Sequence, residues 1–119
     1  METDEKIFDT NCLKSIMAVH DAMDILNGRW KITIIASLCH SKMRFTELLH
    51  NVSGISGKML SRELKDLEIN QLVSRTVLNT QPVTVQYKLT EYGETLKNVV
   101  GALALWGLDH RKKIMGKDV

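Results

Sequence analysis

Apolar residues recur along this chain with two different periods, and the change of period divides it into elements. In "NCLKSIMAVHDAMDILNG", Ile16, Val19, Met23 and Leu26 share one helical stripe, and Asn27-Gly28 is a stop signal. Asn11 is placed to cap the start of that helix. "RWKITIIASLCH" follows, with Trp30, Ile34, Ile35 and Leu38 at helical spacing; its isoleucines leave a strand open, but the spacing favours a helix. "RFTELLHNV" predicts a short third helix with Phe45, Leu48 and Leu49 inward. After the turn "SGIS", the stretch "SGKMLSRELKDLE" sets Leu60, Leu64 and Leu67 on one side of a fourth helix. Ser56 is a good N-cap for it, and Ile55 and Leu60 are placed for a hydrophobic staple across the cap.

The period then drops to two. "VSRTVL" alternates Val73, Arg75 and Val77, and "VTVQYKL" sets Val83, Val85, Tyr87 and Leu89 against Thr84, Gln86 and Lys88. Two half-buried strands around an "NTQP" loop make a hairpin. Thr90 can cap a last helix, "EYGETLKNVVGALALWGLDHRKKIMG", striped by Leu96, Val99, Val100, Leu103, Trp106, His110 and Ile114. So long a stripe exceeds what the small body before it can cover, so it calls for a partner.

The predicted fold is therefore mainly α with a small β-hairpin. A helix near the N-terminus leads into a helix-turn-helix at about 45–69, a hairpin at about 73–89 and a long final helix. Two short helices joined by a tight, glycine-containing turn and followed at once by a hairpin have the order of a winged helix-turn-helix. In that geometry the second helix of the corner enters the DNA major groove while the hairpin, the wing, reaches along the backbone.

Charge placement sharpens the reading. Lys58, Ser61, Arg62 and Lys65 recur at i, i+3, i+4 and i+7 on the side of the fourth helix opposite its leucines. A solvated face would explain that pattern in an ordinary helix. The Ser56 cap, the preceding corner and the following wing instead make it a face for phosphates and base edges. Arg44, opening the third helix, and Lys42 before it are candidate backbone contacts.

Composition changes the picture only by exclusion. The 119 residues suit one domain spanning 1–119, and at that size roughly 65% of the unfolded surface can be buried without disulfides or metal. Apolar residues make up 44% and charged residues 25%, ordinary for a globular protein, and the net charge of +2 leaves local charge placement to decide the partner. No run suits a membrane span and the polar start is no signal peptide, so a cytoplasmic location is expected. Cys12 and Cys39 are too few for a disulfide scaffold or zinc cluster, and the four histidines lack ligand spacing, so neither metal nor cofactor is expected. There is no phosphate-binding glycine loop and no nucleophile–base motif, which argues against an enzyme. The alternative to DNA binding is a winged helix serving only as a protein-interaction module.

"ILNGRWKITIIASL", "RFTELL", "GISGKMLSRELKDLE", "LVSR" and "VQYKLTEYGETL" together resemble, in order and spacing, the HxlR family of bacterial and archaeal regulators. The resemblance spans about Met17 to Trp106. It implies a MarR-like winged helix that binds near-palindromic operator DNA as a homodimer, with Ser56–Ile69 as recognition helix. It also implies dimerisation through the terminal helices, at about 12–27 and 91–115, by Ile16, Met23, Leu96, Val99, Val100, Leu103 and Trp106. By the same resemblance Arg44, Ser56, Lys58, Ser61, Arg62, Lys65 and the wing's Thr84 face DNA.

The chain departs from the family pattern at three places. Thr84 stands where relatives carry a basic wing residue, and Asn70-Gln71 where they end the recognition helix with glycine. Many relatives open the first helix with a Cys-Pro pair that in some senses oxidants or electrophiles; here that position falls on Met17-Ala18. Cys12, five residues earlier, is the remaining redox candidate, with Lys14 favouring a thiolate and Asp9 opposing it. An oxidant or a small molecule is the expected kind of effector.

Overall fold

The computed structural model describes residues 12–116. Helix α1 (Cys12–Ile25) leads through a turn to α2 (Lys31–Leu38). Strand β1 (Met43–Arg44), α3 (Phe45–Asn51) and α4 (Gly57–Ile69) follow. Strands β2 (Val73–Leu78) and β3 (Thr84–Leu89), a 3-10 turn (Gly93–Leu96) and α5 (Lys97–Met115) complete the chain. Asn11, expected to cap α1, lies outside the described residues.

The core is built where the sequence stripes converge. Ile34, Ile35 and Leu38 of α2 meet Leu48 of α3, Leu60, Leu64 and Leu67 of α4, and Leu72, Val73, Tyr87 and Leu89 at the base of the hairpin. Leu60, Leu64 and Leu67 are all but fully buried, each contributing about 2 kcal/mol of hydrophobic stabilisation. Ser56 caps α4 as expected: its Oγ accepts the Met59 N–H at 3.1 Å, and Ile55 and Leu60 on either side of the cap are both buried. The turn between α3 and α4 runs through Gly54 at φ +91°, a left-handed conformation natural to glycine.

The hairpin pairs antiparallel from Val73↔Leu89 to Leu78↔Thr84. Its inward alternation holds at Tyr87 and Leu89 but fails toward the tip, where Val77 and Val83 are exposed. The wing projects past the body there, so no layer lies behind it to bury an alternating face. The sheet also has a third strand that alternation did not reveal. Met43 and Arg44 pair with Tyr87 and Gln86, giving the order β1-β3-β2 and tying the start of α3 to the wing.

The final helix does not begin at Thr90. A 3-10 turn intervenes, and within it Gly93 packs so closely on Leu72 that a Cβ would stand 2.0 Å from the Leu72 carbonyl oxygen. Thr90 clasps the junction instead: its hydroxyl donates to the Gln71 carbonyl at 2.6 Å and accepts the Gly93 N–H at 2.9 Å.

The end of α4 also differs from expectation. The left-handed residue is Gln71, at φ 64°, while Asn70 keeps φ −84°. The Gln71 N–H donates to the Glu68 carbonyl and the Leu72 N–H to the Leu67 carbonyl, both at 3.0 Å, which is a Schellman closure with glutamine in the glycine position. A side chain with a Cβ pays strain there. Gln71→Gly should therefore stabilise the fold by about 1 kcal/mol, raising the melting temperature by about 4 °C. A thermal melt showing no gain or a loss would mean that Gln71 makes a compensating contact.

Candidate nucleic-acid interface

Two sides of α4 have opposite chemistry. Lys58, Ser61, Arg62 and Lys65 are all exposed, as their spacing predicts. On the inner side, however, the leucines share their stripe with a carboxylate. Glu63 is buried and accepts from Lys31 Nζ at 2.5 Å; Lys31, the first residue of α2, is only 4% exposed. Lys31 also lies 3.4 Å from Asp66 Oδ2 and donates to Asn27 Oδ1 at 3.3 Å. The acidic residues within α4 are thus drawn inward or neutralised from behind, leaving its outward face positive; Glu68, exposed near the C-terminal end, is the exception.

Burial works to lower the Lys31 pKa, but the hydrogen bond and charge of Glu63, joined by those of Asp66, outweigh it and hold the ammonium above its ordinary value of 10.5. A lysine whose pKa is raised on folding stabilises the fold fully below its unfolded pKa and loses that effect as pH rises through the folded value. Wild-type melting temperature, compared with that of a variant lacking this pair, should therefore hold level up to pH 10.5 and fall off above it. A parallel decline of both proteins would show that the pair does not couple to folding.

The flanking contacts cluster around the wing. Arg44 is the extended N-cap residue of α3, its N–H donating to Glu47 Oε1 at 2.7 Å, and its side chain is exposed. Arg44 lines one shallow groove with Phe45, Thr46, Val83, Thr84 and Val85, so the structure brings Arg44 and Thr84 together. The Thr84 hydroxyl is already engaged. It lies 3.0 Å from Thr80 Oγ1, which itself donates to the Pro82 carbonyl, so Thr84 must be the donor between them. Thr84 can therefore offer lone pairs to a partner but no free proton, a weak design for holding phosphate.

A second groove runs between α4 and the wing, lined by Ser61, Lys65, Glu68, Arg75 and Tyr87. Arg75, exposed on β2, joins the positive face although the alternation grouped it with Val73 and Val77. Its signal in the sequence is one of contrast, since residues 76–87 after it carry no charge at all. Among the described residues none of Arg44, Lys58, Arg62, Lys65 and Arg75 makes an ion pair.

The other predicted surface is apolar. Neither α1 nor α5 buries a single residue. Ile16, Met23, Val99, Leu103 and Trp106 are exposed, Trp106 at 67% and stacked on His110 with ring centroids 5.0 Å apart. Leu96 and Val100 differ from that expectation: they are half-buried against the chain's own core, so they anchor α5 to the body and offer less to a partner. Cys12 is exposed at the start of α1, and Cys39 is half-buried at the end of α2. Among the described residues no group of side chains could hold a metal ion, and no helix is long and apolar enough to cross a membrane.

A helix-turn-helix corner with a positive outer face, flanked by a β wing, is the architecture of a winged helix-turn-helix protein. Residues 25–115 match the HxlR-like helix-turn-helix family, and the chain belongs to that family. It is 34% identical over 100 residues to the HTH-type transcriptional regulator YtcD of Bacillus subtilis (strain 168), covering 84% of this chain and 79% of YtcD. It is 40% identical over 88 residues to the HTH-type transcriptional regulator YodB of the same organism, covering 74% of this chain and 79% of YodB. Its structure is similar to that of the redox regulator HypR in its reduced form, with a TM-score of 0.77 and 31% identity over 84% of this chain and 99% of HypR. The family is one of transcriptional regulators, not of enzymes.

Proposed function

We propose that this regulator acts as a homodimer, the whole chain forming one winged-helix unit, and binds a near-palindromic operator through α4. The observation that carries the reading is the row Lys58, Ser61, Arg62 and Lys65, exposed on one face of the second helix of the corner, its cations free of ion pairs. Arginine and lysine there reach phosphates or guanine O6 and N7, and Ser61 donates to either. Arg44 and Arg75 extend the positive surface to both sides of α4 and supply backbone contacts. Dimerisation is supported by the bare apolar surfaces of α1 and α5, since an isolated chain would leave Met17 at 65% and Leu103 at 53% exposure on helices that bury no residue. A two-fold dimer places two α4 helices in successive major grooves about one helical turn apart, hence the palindrome.

The test is selection of bound genomic fragments by protein shown by sedimentation to be dimeric at micromolar concentration. Each of Lys58, Arg62, Lys65 and Arg75 is then changed to alanine. A lost phosphate contact weakens binding to all sequences and flattens the slope of log affinity against log salt by about 0.9 per contact, twice that for the dimer. A lost base contact relaxes preference at one position by about 1–3 kcal/mol. A triple Lys58/Arg62/Lys65 alanine variant that binds as wild type, or a wild-type chain that sediments as a monomer, refutes the reading.

A thiol-dependent response is a second reading. Cys12 is exposed in the first turn of α1, open to an oxidant, and the chain resembles a protein described as a redox regulator. Operator affinity of wild type is expected to change on treatment with diamide or a quinone, and that of Cys12→Ser to stay constant. Equal responses, or none, place the signal elsewhere.

A further inference from the structure

The buried ion pair sits behind the reading helix, and its geometry is more specific than core stability requires. One ammonium, from the first residue of α2, reaches two carboxylates one turn apart on α4, at 2.5 Å to Glu63 and 3.4 Å to Asp66. A third contact, to Asn27 Oδ1 at 3.3 Å, ties the ammonium to the corner between α1 and α2. Asn27 is held in turn, its Nδ2 donating to the Asp24 carbonyl at 2.7 Å. Apolar residues of matching volume would fill this site as stably or more so, because burying both charges costs desolvation that their attraction only offsets. What leucine packing lacks is direction: Leu60, Leu64 and Leu67 can slide and roll over their neighbours at small cost, whereas a charged hydrogen bond cannot.

Roll of α4 matters because its other side does the reading. Side-chain ends lie about 6 Å from a helix axis, so a rotation of about 10° displaces them by about 1 Å. Recognition groups must be held to within about 0.5 Å. We propose that Lys31 is a positioning residue for DNA recognition. By gripping Glu63 and Asp66 it fixes the rotation of α4 and so aims Lys58, Ser61, Arg62 and Lys65 at the operator. This rests on the DNA-binding role proposed above.

The experiment compares operator preference with fold stability. Preference is the affinity for a selected genomic fragment divided by that for a random-sequence duplex of equal length, at one salt concentration. The double variant Lys31→Met/Glu63→Leu replaces the pair with apolar groups. It should melt at or above the wild-type temperature yet lose preference at least tenfold. Glu63→Gln keeps the hydrogen bond from Lys31 and should keep preference within about threefold. Asp66→Ala, at a half-exposed site where truncation leaves the fold intact, removes only the second anchor. Losing a negative charge near DNA should tighten binding to both duplexes, while loosened positioning should lower their ratio about threefold. The Asp66→Ala ratio decides the matter even where the double variant fails to fold. A double variant that folds and keeps its preference, or an Asp66→Ala protein with an unchanged ratio, overturns the proposal. A wild-type protein with no preference at all would instead overturn sequence-specific binding itself, and the positioning role with it.

Discussion

A lysine and a glutamate 2.5 Å apart and almost wholly out of water are the constraint on which the reading surface rests. Lys31 and Glu63 stand 32 positions apart in sequence, on helices that otherwise meet through leucine and isoleucine. Once these charges are buried they must stay together, since an unpaired charge in this core would cost several kcal/mol. The pair therefore permits one docking of α4 on α2 out of the many that interchangeable aliphatic side chains would accept. It also sorts charge. The two negative groups in the middle of α4 are answered from behind by Lys31, and the cations are left to the solvent side.

A second division runs between the body and the terminal helices. The core is built mainly from α2, α3, α4 and the base of the hairpin; α1 buries no residue, and Leu26 just after it is what the N-terminal segment adds. The 3-10 turn through Leu96 and the first turn of α5 through Val100 lean on that core. From there α5 continues with Leu103, Leu105, Trp106 and Leu108 exposed, an apolar surface of the kind that marks an interaction site. The fold thus separates a packed winged-helix body from terminal helices whose apolar faces it leaves exposed.

Much of this was legible in the sequence because the physics was local. The Ser56 cap, the staple residues Ile55 and Leu60, the leucine stripe and the pairing of the hairpin are patterns of a few residues, and the structure keeps them, the alternation itself only at the hairpin's base. The misreadings have non-local causes. Lys31 went unread although its spacing puts it on the stripe with Ile34, Ile35 and Leu38, because a lysine counts as a surface residue until its distant carboxylates are known. Two residues of β1 are too few to display a period, and they form a strand only because β3 passes beside them. The late start of α5 comes with the close packing of Gly93 on the backbone of Leu72, a contact made across 21 positions of chain. Arg75 joined the positive face through the packing of the wing on α4, and no spacing within either element encodes that.

The wing shows how the same fold can shift the balance between its parts. From Thr76 to Tyr87 it bears no charge, its tip exposes Val77 and Val83, and the hydroxyl proton of Thr84 is spent inside the loop on Thr80. A wing of that kind gains little from the phosphate field, which acts on charge and decays over about 10 Å at moderate salt. In the proposed complex, ionic attraction falls mainly on α4, on Arg44 beside it and on Arg75 and Lys88 at the root of the wing. With the cations gathered along one helix and its margins, affinity depends on where that helix points. The aim of α4, and so the buried lysine behind it, carries weight that a basic wing would otherwise have shared.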